Sequence, residues 1–72
     1  MTLEEFEQKL YEKGWRYYCW SDSWDKDDNS IYYPNEKYLD KNQSKNINEI
    51  KIVLKNKNNE EKVLTENDFN DL

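Results

Sequence analysis

Asp22, Asp25, Asp27 and Asp28, followed by Asn29 and Glu36, are the residues of this chain whose types and spacing come nearest to a metal site. Asp25, Asp27, Asn29 and Glu36 fall at positions 1, 3, 5 and 12 of a helix–loop–helix calcium loop, where alternate oxygen donors wrap one ion. Three departures oppose that reading. Ser30 occupies the place where the sharp turn needs glycine, Pro34 falls where the exit helix should begin, and the residues before Asp25 read as strand and loop. The expectation is a solvated acidic loop without calcium, and no metal or other cofactor is expected elsewhere.

Proton-transfer and covalent chemistry find little support. General acid–base and nucleophilic catalysis need a positioned base, most often histidine, and the chain has none. Cys19 has no histidine partner and falls in an expected strand, so it is expected to be a buried structural thiol. Gly14 is the single glycine, which excludes a glycine-rich phosphate cradle. A carboxylate pair would need a cleft, and 72 residues offer little depth for one. A non-enzymatic function is expected.

Aromatic residues carry the stronger signal. Nine of the eleven lie between Tyr11 and Tyr38, around the aspartate run. Trp and Tyr dominate the energetics of protein–protein contacts because they bring large, rigid, partly polar surfaces. A small domain also needs such rings in its core. Trp15, Tyr17 and Tyr32 are expected to be buried, and Trp24, set in the polar stretch, to be the most exposed ring. The expected partner-binding set is Tyr18, Trp20, Asp22, Trp24, Asp25, Asp27, Asp28 and Tyr33. Aromatics can also stack on the bases of single-stranded nucleic acid, but here flanking aspartates repel phosphate. Direct nucleic-acid binding is not the expectation; the basic stretch 37–57 keeps it, with a calcium-loop protein, among the alternatives.

The elements that must position these residues are short. Thr2 and Glu5 have capping-box spacing, Met1 and Phe6 occupy the staple positions, and Leu3, Phe6 and Leu10 recur at helical period. A helix over 2–13 follows, ended by Gly14. Residues 15–20 read as a strand with Trp15, Tyr17 and Cys19 on one face and Arg16, Tyr18 and Trp20 on the other. Residues 21–29 read as a polar loop, 30–33 as a return strand ended by Pro34, and 34–46 as mainly loop, with a helical turn at 36–40 as the alternative. Asn48, Ile50, Ile52 and Leu54 alternate with Glu49, Lys51 and Val53, which predicts a strand over 48–54. A short strand over 62–64 and a short helix over 66–72 follow, the latter capped by Thr65 and Asp68 and stapled by Leu64 and Phe69. The fold class expected is α+β: an N-terminal helix, a small antiparallel sheet of about four strands covered on one face, and a short C-terminal helix, in a single domain over 1–72.

The net charge of −5 is patterned: 1–13, 21–28 and 60–72 are acidic, while 35–58 carry an excess of lysine. Acidic patches favour basic surfaces, such as the nucleic-acid channels of other proteins. With one cysteine no internal disulfide can form, and no apolar run reaches the length of a signal-peptide core, so a cytoplasmic setting is expected. The chain opens on Met1 without a tag or linker, and a complete short gene product is expected. Ten Asn and ten Lys suggest AT-rich coding, as in a low-GC bacterium or its phage. In size, acidity and composition the chain resembles phage-encoded inhibitors of host machinery, including anti-CRISPR proteins and nucleic-acid mimics. That resemblance rests on no motif and transfers no residue. It implies a small acidic inhibitor that grips a larger protein with a basic surface, such as a nuclease or another nucleic-acid-binding protein. The alternative is an accessory or immunity-type subunit.

Overall fold

The first helix, α1, spans Leu3–Glu12 in the computed structural model, which describes residues 1–35 and 43–72. Its start is built as the capping box requires. Thr2 Oγ1 accepts from the Glu5 N–H at 3.2 Å, and the Glu5 carboxylate accepts from the Thr2 N–H at 3.0 Å. These bonds hold the Glu5 carboxyl below its ordinary value of 4.5. Two further helix-start donors reach a neighbouring segment: the Leu3 N–H donates to the Lys45 carbonyl at 2.8 Å and the Glu4 N–H to the Gln43 carbonyl at 3.1 Å. Gly14, at φ 102, takes the left-handed step that ends the helix. Leu3, Phe6 and Leu10 form its buried stripe.

Five short strands follow: β1 Arg16–Tyr18, β2 Ser23–Lys26, β3 Asn29–Tyr32, β4 Val53–Lys55 and β5 Glu61–Val63. They pair antiparallel in chain order, as a meander. The α+β class and the sheet stand as expected, with one strand more than the four expected. The strand expected over 15–20 stops at Tyr18, and Cys19–Asp22 turn the chain back. The middle of the expected loop 21–29 is therefore β2, closed against β3 by Asp27 and Asp28. Aspartate concealed this strand, because it is depleted in sheets yet tolerates the left-handed backbone that tight reversals use. Asp22 lies at φ 51 and Asp27 at φ 54.

The expected strand over 48–54 is shorter for a related reason. Asn46 caps a 3-10 turn over Ile47–Glu49, its Oδ1 accepting from the Asn48 N–H at 2.9 Å, so only Val53–Lys55 pair as β4. Ile47 and Ile50 are buried through the three-residue period of that turn, and Ile52 through the alternation after it. The C-terminal helix is 3-10 over Glu66–Asp71, and the Asp68 carboxylate accepts from the Thr65 N–H at 2.9 Å. The helical turn considered for 36–40 lies outside the described residues.

The register sorts the side chains onto two faces. Tyr17, Trp24, Ile31, Leu54 and Lys62 stand in one row across all five strands on the inner face. Trp24 and Ile31 join Leu3, Phe6 and Leu10 of α1, with Trp15, Tyr33, Ile47, Ile50, Ile52 and Leu64, in one core. Phe69 of the C-terminal helix meets Phe6 edge-on at 5.7 Å between ring centres. The outer face carries two rows, Tyr18–Ser23–Tyr32–Val53–Val63 and Arg16–Asp25–Ser30–Lys55–Glu61, and gives no residue to that core. The radius of gyration is 11.2 Å, close to the roughly 11 Å of a folded chain of this length. No helix among the described residues is long and apolar enough to cross a membrane.

Candidate protein-binding surface

Trp24, expected to be the most exposed ring, lies in the core, and Trp20 is instead the ring most open to solvent among the described residues. Trp24 is 8% exposed on the inner face, packed against Tyr17 with ring centres 5.5 Å apart. Tyr33 is likewise in the core, at 5% exposure. Both belong to a polar network under α1. The Trp24 Nε1–H and the Tyr33 hydroxyl donate to one Glu7 oxygen at 2.8 and 3.0 Å, and the Gln43 amide donates to the other at 3.0 Å. Burial, with the Glu7 charge beside it, pushes the Tyr33 hydroxyl far above its ordinary 10.0, so it remains a donor. Trp24 and Tyr33 therefore leave the expected partner-binding set: they are core rings whose polar atoms are satisfied internally.

Trp20 is 83% exposed in the turn that joins β1 to β2. The turn is closed by the Ser21 N–H donating to the Tyr18 carbonyl at 3.2 Å. Trp20 meets Tyr18 edge-on, with ring centres 6.4 Å apart. Tyr18 in turn heads the outer row that runs through Ser23, Tyr32 and Val53 to Val63. Ser23 is buried, its hydroxyl 2.8 Å from that of Ser21, and Val53 is buried between Tyr32 and Val63. Tyr18 and Val63 are exposed, and Tyr32 is half-buried with its hydroxyl donated to Glu61. The result is an aromatic and aliphatic band across the sheet, with Trp20 projecting at one end.

Cys19 is exposed in the same turn, which corrects the buried strand thiol expected of it. Tyr17, expected in the core, covers Trp24 from the edge strand and remains partly open to solvent. Its hydroxyl donates to Asp22 Oδ1 at 3.0 Å. Partial burial, then this bond and the Asp22 charge, push Tyr17 up to about 12.

The four aspartates do not form one acidic loop. Asp22 ends the turn that carries Trp20, while Asp27 and Asp28 close the β2–β3 turn at the opposite end of the hairpin. Asp25 lies between them on the outer face, accepting from Ser30 Oγ at 2.5 Å and from Ser23 Oγ at 3.4 Å. The calcium spacing is thus drawn out along a β-hairpin, and Glu36 lies outside the described residues. Among the described residues no three His, Cys, Asp or Glu side chains come together as a metal site.

Val53, Val63 and Glu7 were missed by sequence reasoning. Val53 and Val63 carried a signal, since each alternates with a core residue across a strand. Glu7 carried none, because its role depends on where Trp24 and Tyr33 arrive from elsewhere in the chain. Compared with family models, with curated proteins and with solved structures, the chain matches none.

Proposed function

We propose that this chain is a non-catalytic protein-binding module that grips its partner with the outer band, Trp20, Tyr18, Tyr32 and Val63, with Asp22 at the rim. The observation that carries this reading is the exposure of Trp20. An indole is costly to leave in water, and Trp and Tyr in a contiguous patch are the residues that act as binding anchors. The fold supports the choice of face, because α1 and the 3-10 turn over Ile47–Glu49 bury their apolar residues in the core on the other side, with Phe69 packed against it.

The net charge of −5 favours a larger partner with a basic surface. Within that class we favour a nucleic-acid-handling protein whose basic channel the chain would occupy, as an inhibitor acting in the cytoplasm. Affinity capture from the source organism, with the partner then purified, tests the reading. Trp20→Ala should weaken binding by about thirtyfold or more, the scale of a hot-spot ring. Val63→Asp, at the far end of the band, should weaken it as well. Wild-type affinity in both variants would place the interface elsewhere.

A further inference from the structure

We infer that the outer face of the sheet pairs with the same face of a second copy of this chain, about a two-fold axis running along β3. This goes beyond the protein-binding reading above: the second copy covers the band until a partner displaces it. The strand register carries the inference. In the outer row Arg16–Asp25–Ser30–Lys55–Glu61, the strand on one side of β3 brings an anion, Asp25, and the strand on the other side a cation, Lys55. A two-fold axis along β3 keeps each row at its own level and reverses its order across the sheet. Asp25 of each copy then faces Lys55 of the other, and the same pair forms twice, as in any interface closed by a two-fold.

Both charges are available for it. The ion pairs among the described residues are Met1–Glu66 and Lys62–Asp68, so neither Asp25 nor Lys55 is ion-paired within its own copy. Asp25 accepts from the hydroxyls of Ser30 and Ser23, neither of which carries charge. Arg16 is turned aside, stacked on Tyr11 at 4.2 Å and donating to the Tyr11 and Trp15 carbonyls, and takes no part. The same axis lays the band on itself: Tyr32 meets its own copy, and the exposed Tyr18 meets the exposed Val63 of the second copy. Facing sheets lie about 10 Å apart, a gap that a lysine and an aspartate side chain span together. The tilt of about 30° between aligned sheets displaces residues in proportion to their distance from the axis, so pairs one strand away stay within reach.

The size of the face sets the strength. Five short strands at about 4.8 Å spacing give a face about 20 Å by 10 Å. That is well below the roughly 800 Å² that each partner buries in a stable complex. The net charge of −5 on each copy opposes association further. The dimer is therefore weak, with a Kd on the order of 0.1–1 mM, and a larger partner displaces it readily.

Sedimentation equilibrium of the full chain, with nitrogen-15 spectra recorded over the same concentrations, tests the inference. The expected result is a monomer–dimer equilibrium whose concentration-dependent shifts centre on Tyr18, Tyr32, Lys55 and Val63. Lys55→Glu sets like charges against each other across the interface and should weaken the dimer about tenfold or more, and Asp25→Lys should do the same. An equimolar mixture of the two variants puts opposite charges face to face again and should associate as the wild type does. Should circular dichroism show Asp25→Lys unfolded, Lys55→Glu decides alone. A chain that stays monomeric up to about 1 mM would overturn the inference. So would a dimer indifferent to Lys55→Glu, folded variants that do not associate when mixed, or shifts centred on α1. Each of these outcomes leaves the module reading standing, because that reading is decided by Trp20→Ala and Val63→Asp in capture of the protein partner.

Discussion

The Glu7 carboxylate accepts hydrogen bonds from three side chains that reach it from different parts of the chain: Trp24, Tyr33 and Gln43. Two of those donors are buried rings, so the carboxylate supplies what water no longer can. Glu7→Ala would leave the Trp24 and Tyr33 donors without an acceptor and should cost about 1–3 kcal/mol for each group left unsatisfied. Glu7→Gln retains an amide oxygen and should cost less, and urea unfolding of the two variants checks the order. The same measurement separates the two tryptophans. Trp24→Ala should destabilise by about 3–5 kcal/mol as a core truncation, whereas Trp20→Ala should stay within about 0.5 kcal/mol. Sequence reasoning ranked Trp24 above Trp20 in exposure and was wrong, because both stand among aspartates and serines and the local polarity does not separate them. Only the pairing of Trp24 with Tyr17 and Ile31 puts it inside.

At the scale of elements, the helix was legible and the hairpins were only partly so. A capping box and a glycine stop are local signals, and α1 begins and ends where they stand. Strand β2 was hidden because Ser-Trp-Asp-Lys has few β-formers and lies between two aspartate-bearing turns. The exposed valine of β5, Val63, belongs to a strand expected in nearly the same place, but its partner Val53 showed its face only once the register was set. The edges also differ. On β5, Lys62 stands on the inner face and its Nζ is 3.0 Å from Asp68, a charged device that discourages further strand pairing. The turn before β5 contains Asn59 at φ 63. Asn59→Gly should be neutral or stabilising and Asn59→Ala should cost about 1 kcal/mol, since alanine lacks asparagine's tolerance of that region. Thermal unfolding of the two variants would show the difference.

For the whole molecule, the titrating groups define a plateau with two shoulders. Tyr17 and Tyr33 have folded values raised above the ordinary 10.0, Tyr17 to about 12. The stability they contribute is fully present below the unfolded value and is lost as pH rises through the folded ones. Glu5 and Asp68 are lowered, by hydrogen bonds to Thr2 and to Thr65 with Lys62, from ordinary values of 4.5 and 3.8. Their contribution is present above those values and is lost as pH falls through the lowered ones. The urea midpoint should therefore be level near neutrality, decline on the alkaline side from about pH 10 to 12, and decline on the acid side below about pH 4.5. Tyr17→Phe should flatten part of the alkaline decline, because it removes one of three raised hydroxyls, the others being those of Tyr32 and Tyr33.

The charge distribution belongs to this scale too. Asp27 and Asp28 sit at the end of the hairpin remote from Trp20, so their conversion to Asn should slow association and weaken its salt dependence with little effect on dissociation. The band on the outer face should govern dissociation. The most direct measurement is amide hydrogen exchange of the chain, free and bound to its captured partner. Binding through the band predicts new protection across the Cys19–Asp22 turn and at Tyr18 and Val63 of the edge strands, with the Asp27–Asp28 and Lys57–Asn59 turns unchanged. Protection confined to those two turns, with Trp20 and its neighbours exchanging as in the free chain, would contradict it.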